Sequence, residues 1–264
     1  MKGTRIIYMY LSPKIFKWEV SSSTIRHHSD FTWKQAYVIW SHANEILNVS
    51  NNYLFCVDAV STLKRAIDHR IKLLFEIYRF KDIPIKEKPS GHYEILHHFG
   101  IIRSRMLKKL IEIRNKIEHE GAFPPDEETC RDYTELTWYF LRSTDFLVRQ
   151  VTGSLNFKPQ ESDLDPKHYG VSFEIDPYAG WIPRVFAWVE SNMISKNPKD
   201  GWGVVKVDRT TTRKALMEST GRPIDPGDWD LGRGKLSDDI HISGEIRGTS
   251  VFLDKIYQIY FETL

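Results

Sequence analysis

At 264 residues, with 41% hydrophobic and 27% charged residues, the chain is large and apolar enough for one large domain or two ordinary ones, which excludes a disordered or low-complexity polymer. A formal net charge of +2 excludes a polycation built to coat nucleic acid, although residues 1–155 hold 23 Lys and Arg against 18 Asp and Glu while residues 156–264 hold 14 against 17. Cys56 and Cys130 are too few for a disulfide scaffold or a Cys-based zinc site and point to a reducing, cytoplasmic setting.

Residues 1–29 read as an N-terminal arm. Ile6–Leu11 is a short strand or packing segment, and Ser21–Asp30 is a polar loop ending in a helix cap at Asp30. The opening MKGTRIIYMYLSPKIFKW has no small-residue cleavage site, and no stretch reaches eighteen apolar residues. Neither a signal peptide nor a membrane span is expected. From Phe31 to Val49 the apolar residues Trp33, Ala36, Tyr37, Trp40, Ala43, Ile46 and Leu47 recur at helical steps. After a break at Asn48–Asn52, a long helix over Tyr53–Phe80 carries Val57, Val60, Leu63, Ile67, Ile71, Leu74 and Ile77 or Tyr78 on one face. Lys64, Arg65, Arg70, Lys72, Arg79 and Lys81 lie off that stripe and read as a solvated face.

Ile83–Gly91 is a Pro/Gly loop. A third helical region covers His92–Glu120, with a possible break near Gly100, and Gly121 with Pro124–Pro125 ends it. A fourth runs from Asp126 to about Val151, its acidic start suited to the helix dipole and its apolar face made by Leu136, Tyr139, Phe140, Phe146 and Leu147. Four such helices predict an up-and-down bundle over residues 30–152. Residues 153–166 then read as a linker. Beyond it the hydrophobic period falls to two. Val171, Phe173 and Ile175 alternate with Ser172 and Glu174, Gly203–Val207 is another strand, and Ile240–Ile246 with Val251–Phe261 suggests a hairpin around Gly248. Trp181–Ile194 fits either strand or helix, and Thr210–Ser219 fits a short helix. Residues 167–264 are therefore expected to form a small, mostly β domain, an OB-like barrel or a sandwich, giving an α+β chain overall.

The stretch Leu107–Gly121, LKKLIEIRNKIEHEG, gathers Arg114, Asn115 and His119 at a helix end. Arginine offers a planar fork to phosphate oxygens, histidine exchanges a proton near neutral pH, and asparagine orients a ligand or the imidazole. Asn115 and His119 are four apart and share a face, whereas Arg114 lies about 140° from His119 around the axis. The same residues have an ordinary reading. Arg114 can pair with Glu118, Lys116 with Glu120, and His119 is a favourable cation at a helix C-terminus.

The segment Tyr93–Gly121, YEILHHFGIIRSRMLKKLIEIRNKIEHEG, resembles the signature helix of the HEPN family, in which a Leu/Ile-rich helix ends in Arg, a polar residue and, a few residues on, His. The resemblance covers residues 31–151 and omits the β-rich part. It implies a helical bundle that dimerises, bringing two Arg/His motifs into one cleft, and a metal-independent endoribonuclease of bacterial toxin–antitoxin or antiviral defence systems that needs no cofactor. RNA is the implied substrate, with a protein regulator or antitoxin as a further partner. Some members carry Tyr two residues after the His, where this chain has Gly121. On this reading His119 is general acid or base, Arg114 stabilises the phosphate charge, and Asn115 positions His119 or the phosphate. Arg103, Arg105, Lys108, Lys109 and Lys116 would track the RNA backbone. Other members are inactive, so the alternative is a binding or scaffold protein whose β domain recognises a nucleic acid, a nucleotide or a protein.

The remaining signals are weaker. His27–His28 and His97–His98 lack a carboxylate partner at metal-ligand spacing, and adjacent histidines on a helix diverge by about 100°. The acidic run Asp225–Asp239 departs from a calcium loop at Gly232 and reads as a surface loop. Thr210–Thr212 between Arg209 and Arg213 fits a helix cap or a phosphate contact. Trp202, Trp229 and Tyr257, if exposed, would offer faces for base stacking.

Overall fold

The computed structural model describes residues 6–26, 31–49, 53–103, 105–120, 123–160, 169–212, 215, 239–248 and 250–263. It contains seven α-helices and eight strands among those residues, an α+β chain that divides into two compact units. One unit comprises residues 25–81 and 88–151; the other comprises residues 1–24, 82–87 and 152–263.

The first unit is helical. It holds α1 (Gln35–Val49), α2 (Tyr53–Tyr78), α3 (His92–His98), α4 (Arg105–Glu120), α5 (Glu127–Ser143) and α6 (Asp145–Arg149). Helices α1, α2 and α5 pack on one another, and α4 packs on α2 and α5. The apolar stripe read for the second helix is the core of this unit. Val60, Leu63, Ile67, Ile71, Leu74 and Ile77 are all buried, with Ala59 and Ala66 filling the gaps between larger side chains. The long third region is two helices, with Gly100 at φ +72° between them.

Two expectations in this unit are corrected. Arg70 does not lie on a solvated face. It is fully buried, and its Nη1 donates to the Leu141 carbonyl at 3.0 Å, to Thr144 Oγ1 at 3.1 Å and to Asp145 Oδ1 at 3.0 Å. Tyr37 donates to the other Asp145 oxygen at 2.9 Å. The periodicity missed Arg70 because its neutralising partners come from 74 and 75 residues downstream. The second correction concerns the fourth helical region: of its expected face Phe140 and Leu147 are buried, but Tyr139 on α5 is 63% and Phe146 on α6 is 39% exposed, and α5 instead buries Cys130, Tyr133, Thr134, Thr137 and Leu141 beside Phe140. Threonine is tolerated inside because each hydroxyl returns to a backbone carbonyl four residues back: Thr134 to Cys130, Thr137 to Tyr133 and Thr144 to Phe140. The helix read as ending near Val151 gives way at Gln150 to the first residue of a strand.

The second unit is one open sheet with a helix packed on it. Its strands are β1 (Ile7–Leu11), β2 (Glu19–Arg26), β3 (Gln150–Lys158), β4 (Gly170–Glu174), β5 (Arg184–Glu190), β6 (Ile194–Ser195), β7 (Gly203–Thr212) and β8 (Asp239–Arg247), in the order β2-β3-β4-β5-β8-β7-β1-β6. The registered pairs are antiparallel, and closure into a barrel is not among the described pairings. Residues read as an arm thus supply two strands, and Gly153–Lys158, read as linker, lies within β3. The alternation in β4 is borne out: Val171 and Phe173 are buried while Glu174 is exposed. Trp181–Ile194 resolves around strand β5, and Thr210–Thr212 ends β7, where Thr212 Oγ1 accepts from the N–H of the helical Ala215 at 3.2 Å, the cap read for this stretch.

The expected hairpin around Gly248 is also corrected. Gly248 turns the chain at φ +89°, but Val251–Glu262 is helix α7, with the Ser250 hydroxyl accepting from the Leu253 N–H as N-cap. Phe252, Leu253, Ile256, Tyr257, Ile259 and Tyr260 recur at three- and four-residue steps and are all buried. The Phe252 ring lies over Gly203 of β7, where an added Cβ would come within 2.5 Å of it. Tyr257, read as a base-stacking surface, is instead fully buried and donates to the Trp181 carbonyl at 2.5 Å. Trp181 packs against Tyr257, Tyr260 and Phe261, and this aromatic cluster holds its backbone at φ +63°.

Candidate functional site

Helix α4 contains the whole Arg114–His119 segment. Arg114 lies three residues after Ile111 and three before Ile117, so it leaves the helix on the apolar side, and it is half-buried. Its guanidinium nevertheless returns toward the polar side, where Nη1 donates to Asn115 Oδ1 at 3.1 Å. Asn115 and His119 are both exposed and one turn apart on one face. A single helix therefore presents a guanidinium, a carboxamide and an imidazole in sequence, with Asn115 between the other two.

The basic residues divide. Arg103 precedes the helix, and Arg105, Lys109 and Lys116 are exposed along it. By helical geometry Arg105, Lys109 and Lys116 fall within about 40° of one another, on the side that also carries His119. Lys108 is different: its Nζ is bonded to Glu94 Oε1 of α3 at 2.6 Å, and this contact holds the Glu94 carboxyl below its ordinary pKa. Among the described residues no ion pair joins Lys116 to Glu120. The Glu118 side chain and the Gly121 stop lie outside the described residues, as do His27, His28, Asp30, Arg213, Trp229 and most of Asp225–Asp239.

His97 Nδ1 is 3.2 Å from the Ile102 carbonyl, and His98 stands edge-on to Phe99, so each has a packing role at the end of α3. Among the described residues no group of three His, Cys, Asp or Glu side chains is placed to hold a metal ion. No helix among them is long and apolar enough to cross a membrane. Trp202 is half-buried, with Lys199 Nζ 4.3 Å from its ring centre. No protein-family model matches the chain, nor does any curated protein or solved structure.

Proposed function

We propose that the helical unit is a HEPN-type up-and-down bundle acting as a metal-independent endoribonuclease in a toxin or antiviral defence role. One observation carries this reading: Arg114, leaving α4 on its apolar side, bends round to Asn115, which shares the exposed face with His119. In the reaction the RNA 2′-oxygen attacks the adjacent phosphorus and the bond to the 5′-oxygen breaks. The products are a 2′,3′-cyclic phosphate and a 5′-hydroxyl. His119 takes the 2′-OH proton or delivers one to the leaving oxygen, and Arg114 binds the phosphate oxygens as charge builds on them. Asn115 holds the guanidinium. Arg103, Arg105, Lys109 and Lys116 attract the backbone, with Lys108 tied to Glu94.

The working form is a homodimer in which two α4 helices complete one cleft. Ile111, Ile113 and Ile117 on α4 are only half-buried, whereas Val60, Leu63, Ile67, Ile71, Leu74 and Ile77 of α2 are buried, which leaves apolar surface for a second copy. The sheet unit serves recognition of the target or of a protein regulator. The test is cleavage of labelled RNA in EDTA by wild type, His119→Ala and Arg114→Ala. Wild type is expected to release 2′,3′-cyclic phosphate ends, and each variant to lose roughly 100-fold or more in rate. Equal cutting by the variants, or none by wild type, removes the nuclease reading.

A further inference from the structure

Helix α5 presents aromatic side chains to solvent where its packing does not require them. Glu135, Trp138 and Tyr139 are spaced i, i+3 and i+4, and with Trp40 of α1 they line an open cavity of about 280 Å³. The Trp138 and Tyr139 rings stand at 81° with centres 5.1 Å apart, forming two walls, and Tyr139 is 63% exposed. Trp40 is fixed from behind, its indole N–H donating to the Thr134 carbonyl at 2.8 Å. One turn further on, Arg142, Asp145, Phe146, Arg149 and Gln150 line a second cavity of about 270 Å³. Arg142 joins the two, because its guanidinium lies 5.6 Å from the Trp138 ring while its side chain lines the second cavity.

The charges at the second cavity favour an anion. Asp145 is its only carboxylate among the described lining residues, and the buried Arg70 already binds that carboxylate at 3.0 Å. Arg142, 3.5 Å from Asp145, and Arg149, over Trp33 at 5.4 Å, add two guanidinium groups at the rim. The first cavity offers flat π-faces and, at Glu135, an acceptor for amino or imino hydrogens. Stacking faces about 6 Å along the helix from a guanidinium match the chemistry of a base and its phosphate.

We infer that this face of α5 and α6 is a nucleotide-binding site, with the base against Trp138 and Tyr139, Glu135 at its edge, and the phosphate at Arg142 and Arg149. Its ligand is either a free nucleotide or one unit of a single strand. The site does not rest on the cleavage reading, since none of its residues belongs to the Arg114–His119 group.

Tryptophan fluorescence tests it. The four nucleoside 5′-monophosphates are titrated into the wild-type chain, and a short single-stranded RNA into the intact His119→Ala chain. Saturable quenching is expected, with Tyr139→Ala weakening it roughly tenfold and Tyr139→Phe preserving it. Arg142→Ala with Arg149→Ala should lower the salt dependence of oligonucleotide binding by about one to two charges. Binding of the monophosphates assigns a free-nucleotide site, and binding of RNA alone assigns a single-strand site. Absence of both, unchanged affinity in Tyr139→Ala, or saturable quenching by tetramethylammonium in their place overturns the inference. Binding without RNA cleavage would sink the nuclease reading alone; cleavage without binding would sink this one alone.

Discussion

At the scale of single residues, burial decides which polar groups are available for chemistry. Asn115 and His119 remain exposed, and Arg114 reaches them only because its side chain is long enough to round the helix. Both cysteines are at the opposite extreme. Cys56 and Cys130 are buried, and burial, then the neighbouring Cys56, pushes the Cys130 thiol up to about 12. A thiol so placed carries almost no thiolate at neutral pH. Native protein treated with iodoacetamide is expected to stay unmodified at Cys130 over a time in which urea-unfolded protein is fully labelled, as read by mass spectrometry. Rapid native labelling would show that this pocket opens. The spacing of Arg114, Asn115 and His119 is plain in the chain, but which side of the helix each takes follows from packing. That is why Lys108, indistinguishable from Lys109 as a letter, turns out to be occupied by Glu94.

At the scale of elements, the junction of α5 and α6 is held by a charge the periodic reading put outside. Arg70 sits under Thr144 and Asp145, and Tyr37 closes the same carboxylate. Burial first, and then Asp145, raise the Tyr37 hydroxyl to about 12, so it stays a donor at any working pH. Removing one partner leaves the other charge buried and unmatched, at a cost of about 3–5 kcal/mol, whereas removing both is far milder. Urea unfolding of Asp145→Ala is expected to show that loss, and the double variant Arg70→Met/Asp145→Ala should recover part of it. Additive losses in the double variant would mean the pair is not coupled. Tyr139 of α5 and Phe146 of α6 are exposed on the same stretch of chain. Threonines bonded to their own helix take inner positions of α5.

For the whole molecule, each unit carries a histidine held below its ordinary pKa of 6.5. Burial and then Arg70 lower His69, and burial and then Arg209 lower His241. Both favour the neutral form when folded, so the unfolded chain takes up protons first on acidification. Their contribution to stability is complete above pH 6.5 and is lost as the pH falls below it toward the folded values. The melting temperature should therefore drop between about pH 7.5 and 5.5, and His69→Gln and His241→Gln should each flatten the drop. Identical profiles in variants and wild type would assign the pH dependence elsewhere.

What the chain determined by itself is local. The stripe of α2, the course of α4 and the alternation in β4 depend on spacing within one segment, and spacing is read directly. Tertiary structure decided the rest. Val251–Glu262 spaces its apolar residues at helical steps, but where that helix docks was set by the sites that Gly203 and Trp181 offer to Phe252 and Tyr257. Ile7–Leu11 is a strand because Gly203–Val207 pairs with it across almost the whole chain. Arg70 is buried because Asp145 meets it there. Each outcome turns on a partner distant in sequence, and a partner's position leaves no trace in the spacing of the residues it meets.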